Sequence, residues 1–179
     1  MRRIKLYEIN PRFKFREYIR AETKQSIATI QQIYPNNQIA FTEFPQTIED
    51  LNNFFSQLDW NYPWNAGAQV SGICVFISML ENNEDLVFFI NEYLEQRLLE
   101  DGSYGSPMVS DSSEKVNGAM KVITGLDWLN IPIHRPNELI DLCLKHKPNS
   151  EGCDIVDIIY VLYKCHQQTD YKSEEIREY

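Results

Sequence analysis

Glycine and proline are both scarce, with 7 and 8 residues in 179. That excludes collagen-like and low-complexity chains and argues against a turn-dense all-β fold. The four cysteines, Cys74, Cys143, Cys153 and Cys165, are scattered and include no CxxC pair, so no disulfide framework or zinc ribbon is expected. Cys74 stands in an apolar run and reads as a buried free thiol. No run of about 18 apolar residues is available to cross a bilayer. A secretory leader is not expected either, because Ile4 to Phe15 is broken by Lys5, Glu8, Asn10, Arg12 and Lys14. Walker loops, Rossmann glycine fingerprints, Gly-x-Ser-x-Gly and His-Glu-x-x-His are missing. Bases are outnumbered 17 to 26, a net charge of −9, which works against nucleic-acid binding because phosphates are repelled. The expectation is a cytoplasmic protein with reduced thiols, no membrane span, no bound cofactor and no metal.

What is present is ordinary folding material: 43% hydrophobic and 12% aromatic residues, enough for one helical domain over residues 1–179. Charge is unevenly spread. Residues 1–24 hold eight bases and three acids, so residues 1–44 read as a basic helix and arm on an acidic body. The apolar period is helical nearly throughout. Helices are expected at 13–34, 47–58, 66–80, 84–99, 114–130, 136–146 and 153–166, about seven in all. Ile39 to Phe44 is the one strand candidate. Thr47 with Asp50, and Asp111 with Glu114, have the spacing of helix-starting caps.

The chain also repeats. Gly67-Ala68 in one all-round apolar helix recurs as Gly118-Ala119 in another, 51 residues on. Leu86 and Leu139 match at 53, and Gly102 and Gly152 at 50. Each unit reads as inner helix, loop, amphipathic outer helix and glycine turn, giving two to two-and-a-half hairpins over 64–166. The fold class is therefore all-α: antiparallel helical hairpins in a partial α/α-toroid-like or α-solenoid array.

The stretch Tyr93-Leu94, Leu98 and Asp101-Gly102-Ser103-Tyr104-Gly105 resembles the repeat of terpenoid cyclases and protein prenyltransferases. In that family a glutamine-ended helix precedes Asp-Gly-x-Trp-Gly; here Leu98 replaces the glutamine and Tyr104 the tryptophan. Similar glycine turns also occur in carbohydrate-active α/α-barrel proteins. The resemblance implies an α/α toroid that holds a lipid (isoprenoid) or carbohydrate on its concave face. It does not extend to the family's acid or magnesium motifs, since Glu81-Asn82-Asn83-Glu84-Asp85 reads as a helix cap. Cys153-Asp154 lacks the Asp-x-Cys spacing of the prenyltransferase zinc site.

Candidate residues follow from this frame. Trp60, Tyr62, Trp64 and Asn65 form an aromatic loop that either rims the concave face as a ligand platform or fills the gap between hairpins. Gln69, Asn117, Lys121 and Asp127 are polar residues on inner helices. Asn117 and Lys121 share a face and are candidates to fix a ligand or to meet solvent at an open end. Asp154 and Asp157, one turn apart, either divide acid and base work or offset a helix dipole. His134 is the best single histidine for general acid–base duty. The alternative is a non-catalytic repeat protein mediating association. Its last helix carries more apolar surface than one hairpin can cover, which favours a homodimer or a partner chain completing the array.

Overall fold

The computed structural model describes residues 44–148 and 153–179. The expected helix 13–34, the basic arm, the strand candidate from Ile39 and the closing Gly152 lie outside these residues. Among the described residues the protein is all-helical, with seven helices and no strand: α1 (Ile48–Phe55), α2 (Pro63–Ser78), α3 (Glu84–Glu95), α4 (Ser112–Leu129), α5 (Pro136–Lys145), α6 (Asp154–His166) and α7 (Ser173–Glu178). No described helix is long and apolar enough to cross a membrane.

Local chemistry sets most boundaries. Thr47 accepts a hydrogen bond from the Asp50 amide at 3.1 Å and starts α1. Asp111 does the same for Ser113 at 3.0 Å and starts α4. Asn130, in the left-handed conformation at φ 54°, ends α4. Proline opens α2 and α5, where its missing N–H has no intrahelical use. Because α2 starts at Pro63, Trp64 and Asn65 belong to its first turn and not to a loop.

Helix α3 stops at Glu95, short of the expected Leu99, because the backbone turns back on itself there. Leu98 pairs with Tyr104 in an antiparallel bridge. Leu99 and Gly105 donate to the carbonyls of Ser103 and Arg97 at 2.8 and 2.9 Å. Gly102 makes this turn at φ +79°, against the Arg135 carbonyl and the Leu139 amide. Asp101 ties it to α4 through Lys115, 2.6 Å away. Beneath the turn, Tyr104 is fully buried.

The central packing is α2 on α4. A Cβ added to Gly67 would lie 2.8 Å from the Gly118 carbonyl oxygen, and one added to Gly118 would lie 2.8 Å from the Pro63 carbonyl carbon. Farther along, Gly125 meets Ser71 and Cys74. Both helices therefore ascend together, so α2 and α4 are parallel and almost in backbone contact. Helix α6 is parallel to α4 in turn: Ser113 bonds Asp154 near their starts, and Lys164 bonds Asp127 near their ends. Helix α5 runs against α6, with Asn137 bonded to Thr169 at one end and His146 to Asp154 at the other. Aromatic packing on α3 seats α1, with the Phe55 ring stacked 4.2 Å from Tyr93. Residues 173–178, expected to be a polar tail, form α7, which follows the Lys172–Asp141 pair (2.6 Å) that returns the chain to α5.

Two substitutions test this frame. Gly118→Val must push the α2 and α4 backbones apart and is expected to lower stability by about 1–3 kcal/mol. Gly102→Val places a β-branched residue at positive φ and is expected to lose more than about 1 kcal/mol. Urea unfolding of both variants checks this, and unchanged midpoints would show that neither contact is tight.

Candidate functional site

Parallel packing brings the first turns of α4 and α6 together, with α2 beside α4. Three helices thus point unsatisfied N–H groups and the positive ends of their dipoles in a common direction. The acidic side chains gathered there are the ones such a field stabilises. Glu114 illustrates it. Instead of closing a capping box on its own helix, its carboxylate crosses to accept the Trp64 amide at 2.9 Å. It thereby caps α2 from α4.

Asp154 is the centre of the cluster and is only 2% exposed. One oxygen accepts from the Ser113 hydroxyl at 3.0 Å and the other faces His146 Nε2 at 2.9 Å. His146 caps the end of α5, and its Nδ1 lies 2.8 Å from Ser112 Oγ. The Asn117 amide is assigned with its NH2 toward the acids, where it donates to Asp154 at 3.2 Å and to Asp157 at 3.3 Å. The opposite setting would set its carbonyl oxygen against two carboxylates.

Burial pushes the Asp157 carboxyl above the usual carboxylate range; the Lys121 ammonium opposes that shift and the Asp154 charge adds to it. Lys121 in turn lies 5.8 Å from the centroid of the Trp64 ring. Trp64 is 45% exposed, so the indole flanks the cluster at the surface.

Five of the sequence candidates are therefore linked across three helices: Trp64, Asn117, Lys121, Asp154 and Asp157. The others lie elsewhere. Trp60 is in the core, with its indole N–H donated to the Tyr93 hydroxyl at 2.7 Å. Tyr62 and Asn65 are exposed at the start of α2, and Gln69 reaches back to the Asn65 carbonyl. Asp127 is ten residues beyond Asn117, about 15 Å along α4, and is paired with Lys164 at 2.7 Å.

His134 belongs to a separate group. Its Nδ1 lies 2.8 Å from the Tyr104 hydroxyl and its Nε2 lies 3.1 Å from Asn91 Oδ1. Burial lowers its pKa, against the nearby Glu95 carboxylate.

Ser112, Ser113, Glu114 and His146 were not singled out as site residues from sequence. Asp111 and Glu114 read as a cap, and Lys145-His146-Lys147-Pro148 as a helix stop. The available signal was the repeat itself, which sets the end of one outer helix beside the starts of the inner helices it joins. Among the described residues no group of three metal-binding side chains is assembled. No protein-family model, curated protein or solved structure matches the chain.

The Asp157 environment carries a pH signature. A carboxyl whose folded pKa exceeds its unfolded value binds its proton more tightly when folded. Its contribution to stability is therefore greatest in acid and falls as pH rises from the unfolded value through the folded one. Asp157→Asn removes that loss. The variant is expected to melt above the parent at pH 7, with the difference shrinking toward pH 4. Thermal melts across that range check it, and a variant less stable at pH 7 would mean that the charge of Asp157 is needed for folding.

Proposed function

We propose that the chain is a partial α/α-toroid-like array of helical hairpins that binds a carbohydrate at the clustered N-terminal ends of its inner helices. The array reading draws support from the parallel set α2, α4 and α6, the antiparallel α5, and a glycine turn like that of the terpenoid cyclase and prenyltransferase repeat. The observation that carries the ligand reading is the chain of contacts that runs from the half-exposed Trp64 through Lys121 to Asp157, Asn117 and the buried Asp154.

Carbohydrate suits this group better than an isoprenoid chain. A sugar offers hydroxyls to a carboxylate, an amide and an ammonium, and a C–H face to a half-exposed indole. An isoprenoid chain would strip water from those groups and return no hydrogen bond. Within the cluster Asp154 is engaged on both oxygens, so it positions its neighbours. Asp157 is itself only 6% exposed and stands behind Lys121, so Lys121, partly buried beside the Trp64 ring, is the group placed to meet ligand hydroxyls.

Titration of tryptophan fluorescence with a panel of mono- and oligosaccharides, and with farnesol, tests the reading. Trp64→Ala and Lys121→Ala are each expected to weaken saccharide binding about 10-fold, or about 1.4 kcal/mol, with little change in the thermal midpoint. A response to farnesol alone, or none to any saccharide at millimolar concentration, would overturn it.

A second reading, association of two copies, is favoured by α6. Its inward residues Ile158, Val161, Leu162 and Cys165 are buried, while Ile155, Val156, Ile159 and Tyr163 are each more than half exposed. These four form an apolar stripe at the edge of the array, the kind of surface that repeat proteins normally cap. Sedimentation equilibrium is expected to show a dimer of the 21.1 kDa chain, shifted toward monomer by Ile159→Glu. A concentration-independent monomer would exclude it.

A further inference from the structure

The hydrogen bonds around His146 have a direction. Asp154 is buried, and its carboxylate accepts from Ser113 and Asn117. An ionised carboxylate only accepts, so the imidazole proton at this contact belongs on Nε2. Nδ1 is then left with its lone pair facing Ser112 Oγ at 2.8 Å, and the hydroxyl donates to it. A hydroxyl, a base and a carboxylate that orients the base are thus in line, spaced 2.8 and 2.9 Å. The chemistry of an activated serine requires this order of roles, and it is recognised by geometry irrespective of sequence position.

The surroundings fit. His146 is buried and held at both nitrogens, so its ring is fixed. Ser112 is the first residue of α4 and only partly buried, so its hydroxyl lies nearer solvent than the base behind it. The Ser113 amide is taken by the Asp111 cap, and the positive dipole end of this 18-residue helix is what remains to offset charge on a tetrahedral oxyanion.

We infer that Ser112, His146 and Asp154 form an acyl-transfer relay with Ser112 as nucleophile and a carboxylic ester as substrate. Ser112 Oγ bonds to the ester carbonyl carbon while its proton passes to His146 Nδ1. The bond from that carbon to the leaving oxygen then breaks, and the Nδ1 proton goes to the departing alcohol. Water attacks the acyl-serine in the second half, gives its proton to Nδ1, and releases the acid as Ser112 recovers its hydrogen. That the ester is an O-acyl carbohydrate rests on the binding reading above; the relay itself does not.

The full chain is treated with a fluorophosphonate and digested, and each serine peptide is followed by mass spectrometry. Ser112 is expected to be labelled at least about 100-fold faster than Ser113 and the other serines. The rate should rise through a single deprotonation and then level. His146→Gln should slow it at least about 100-fold, and Ser112→Ala should abolish it with the circular dichroism spectrum unchanged. Labelling of Ser112 at the rate of ordinary serines in the folded parent would overturn the inference and needs no variant. Saccharide titration of the same sample separates the two readings, since either can fail while the other stands.

Discussion

The contact between Gly67 and Gly118 is the constraint from which most of the architecture follows. Two helices approach this closely only where neither carries a side chain at the crossing, and a Cβ on either glycine would press into backbone. Closeness fixes register as well as distance. With Pro63 and Trp64 against Gly118, the first turn of α2 sits beside the second turn of α4. Glu114 can then reach the Trp64 amide, and Lys121 comes near the indole. Had α2 packed a turn higher or lower, the cap, the ring and the ammonium would each face different neighbours.

Parallel helices concentrate a field that antiparallel ones cancel. Buried carboxylates are ordinarily costly, yet Asp154 lies almost fully inside the protein. Its charge is offset by the Ser113 hydroxyl, the Asn117 amide, the His146 imidazole and the positive ends of α4 and α6. Asp157, one turn on, has Asn117 and Lys121 beside it, yet burial, with the Asp154 charge adding to it, holds its carboxyl above the usual range. Two acids three residues apart therefore have different partners: Ser113 and His146 hold Asp154, and Lys121 stands by Asp157.

Legibility in the sequence tracked the range of the forces involved. Periodicity placed six of the described helices because amphipathic faces and caps are local. Gly102 was legible as a positive-φ turn, and the recurrence of Gly67 in Gly118 marked the inner pair, although not that the two glycines touch. Trp64 was misplaced into a loop because an aromatic cluster around proline reads as a break, when proline is in fact the first helical residue. Helix α7 has only Ile176 as an apolar anchor and left no period to detect. Asn117 and Lys121 stood out as polar residues on apolar inner helices, and Asp154 and Asp157 as paired carboxylates one turn apart. Ser112 and His146 did not, since each has an adequate local role as a helix terminus. Their meeting depends on how α5 returns beside α6, a long-range fact that no local pattern encodes.

Helix α6 joins the two halves of the functional argument. Its inner side holds Asp154 and Asp157, while Ile155, Val156, Ile159 and Tyr163 face outward, uncovered. Residues 154–157 are consecutive, so the acids and the start of the apolar stripe share one helical turn and cannot move independently. The inner side is held near its start by Ser113, Asn117 and His146 and near its end by Lys164 on Asp127. All of these bonds lie on the α4 and α5 sides. The outer side has no such bond among the described residues. A surface that covered the stripe would hold the helix from the other side as well, and with it the 2.9 Å contact of Asp154 with His146.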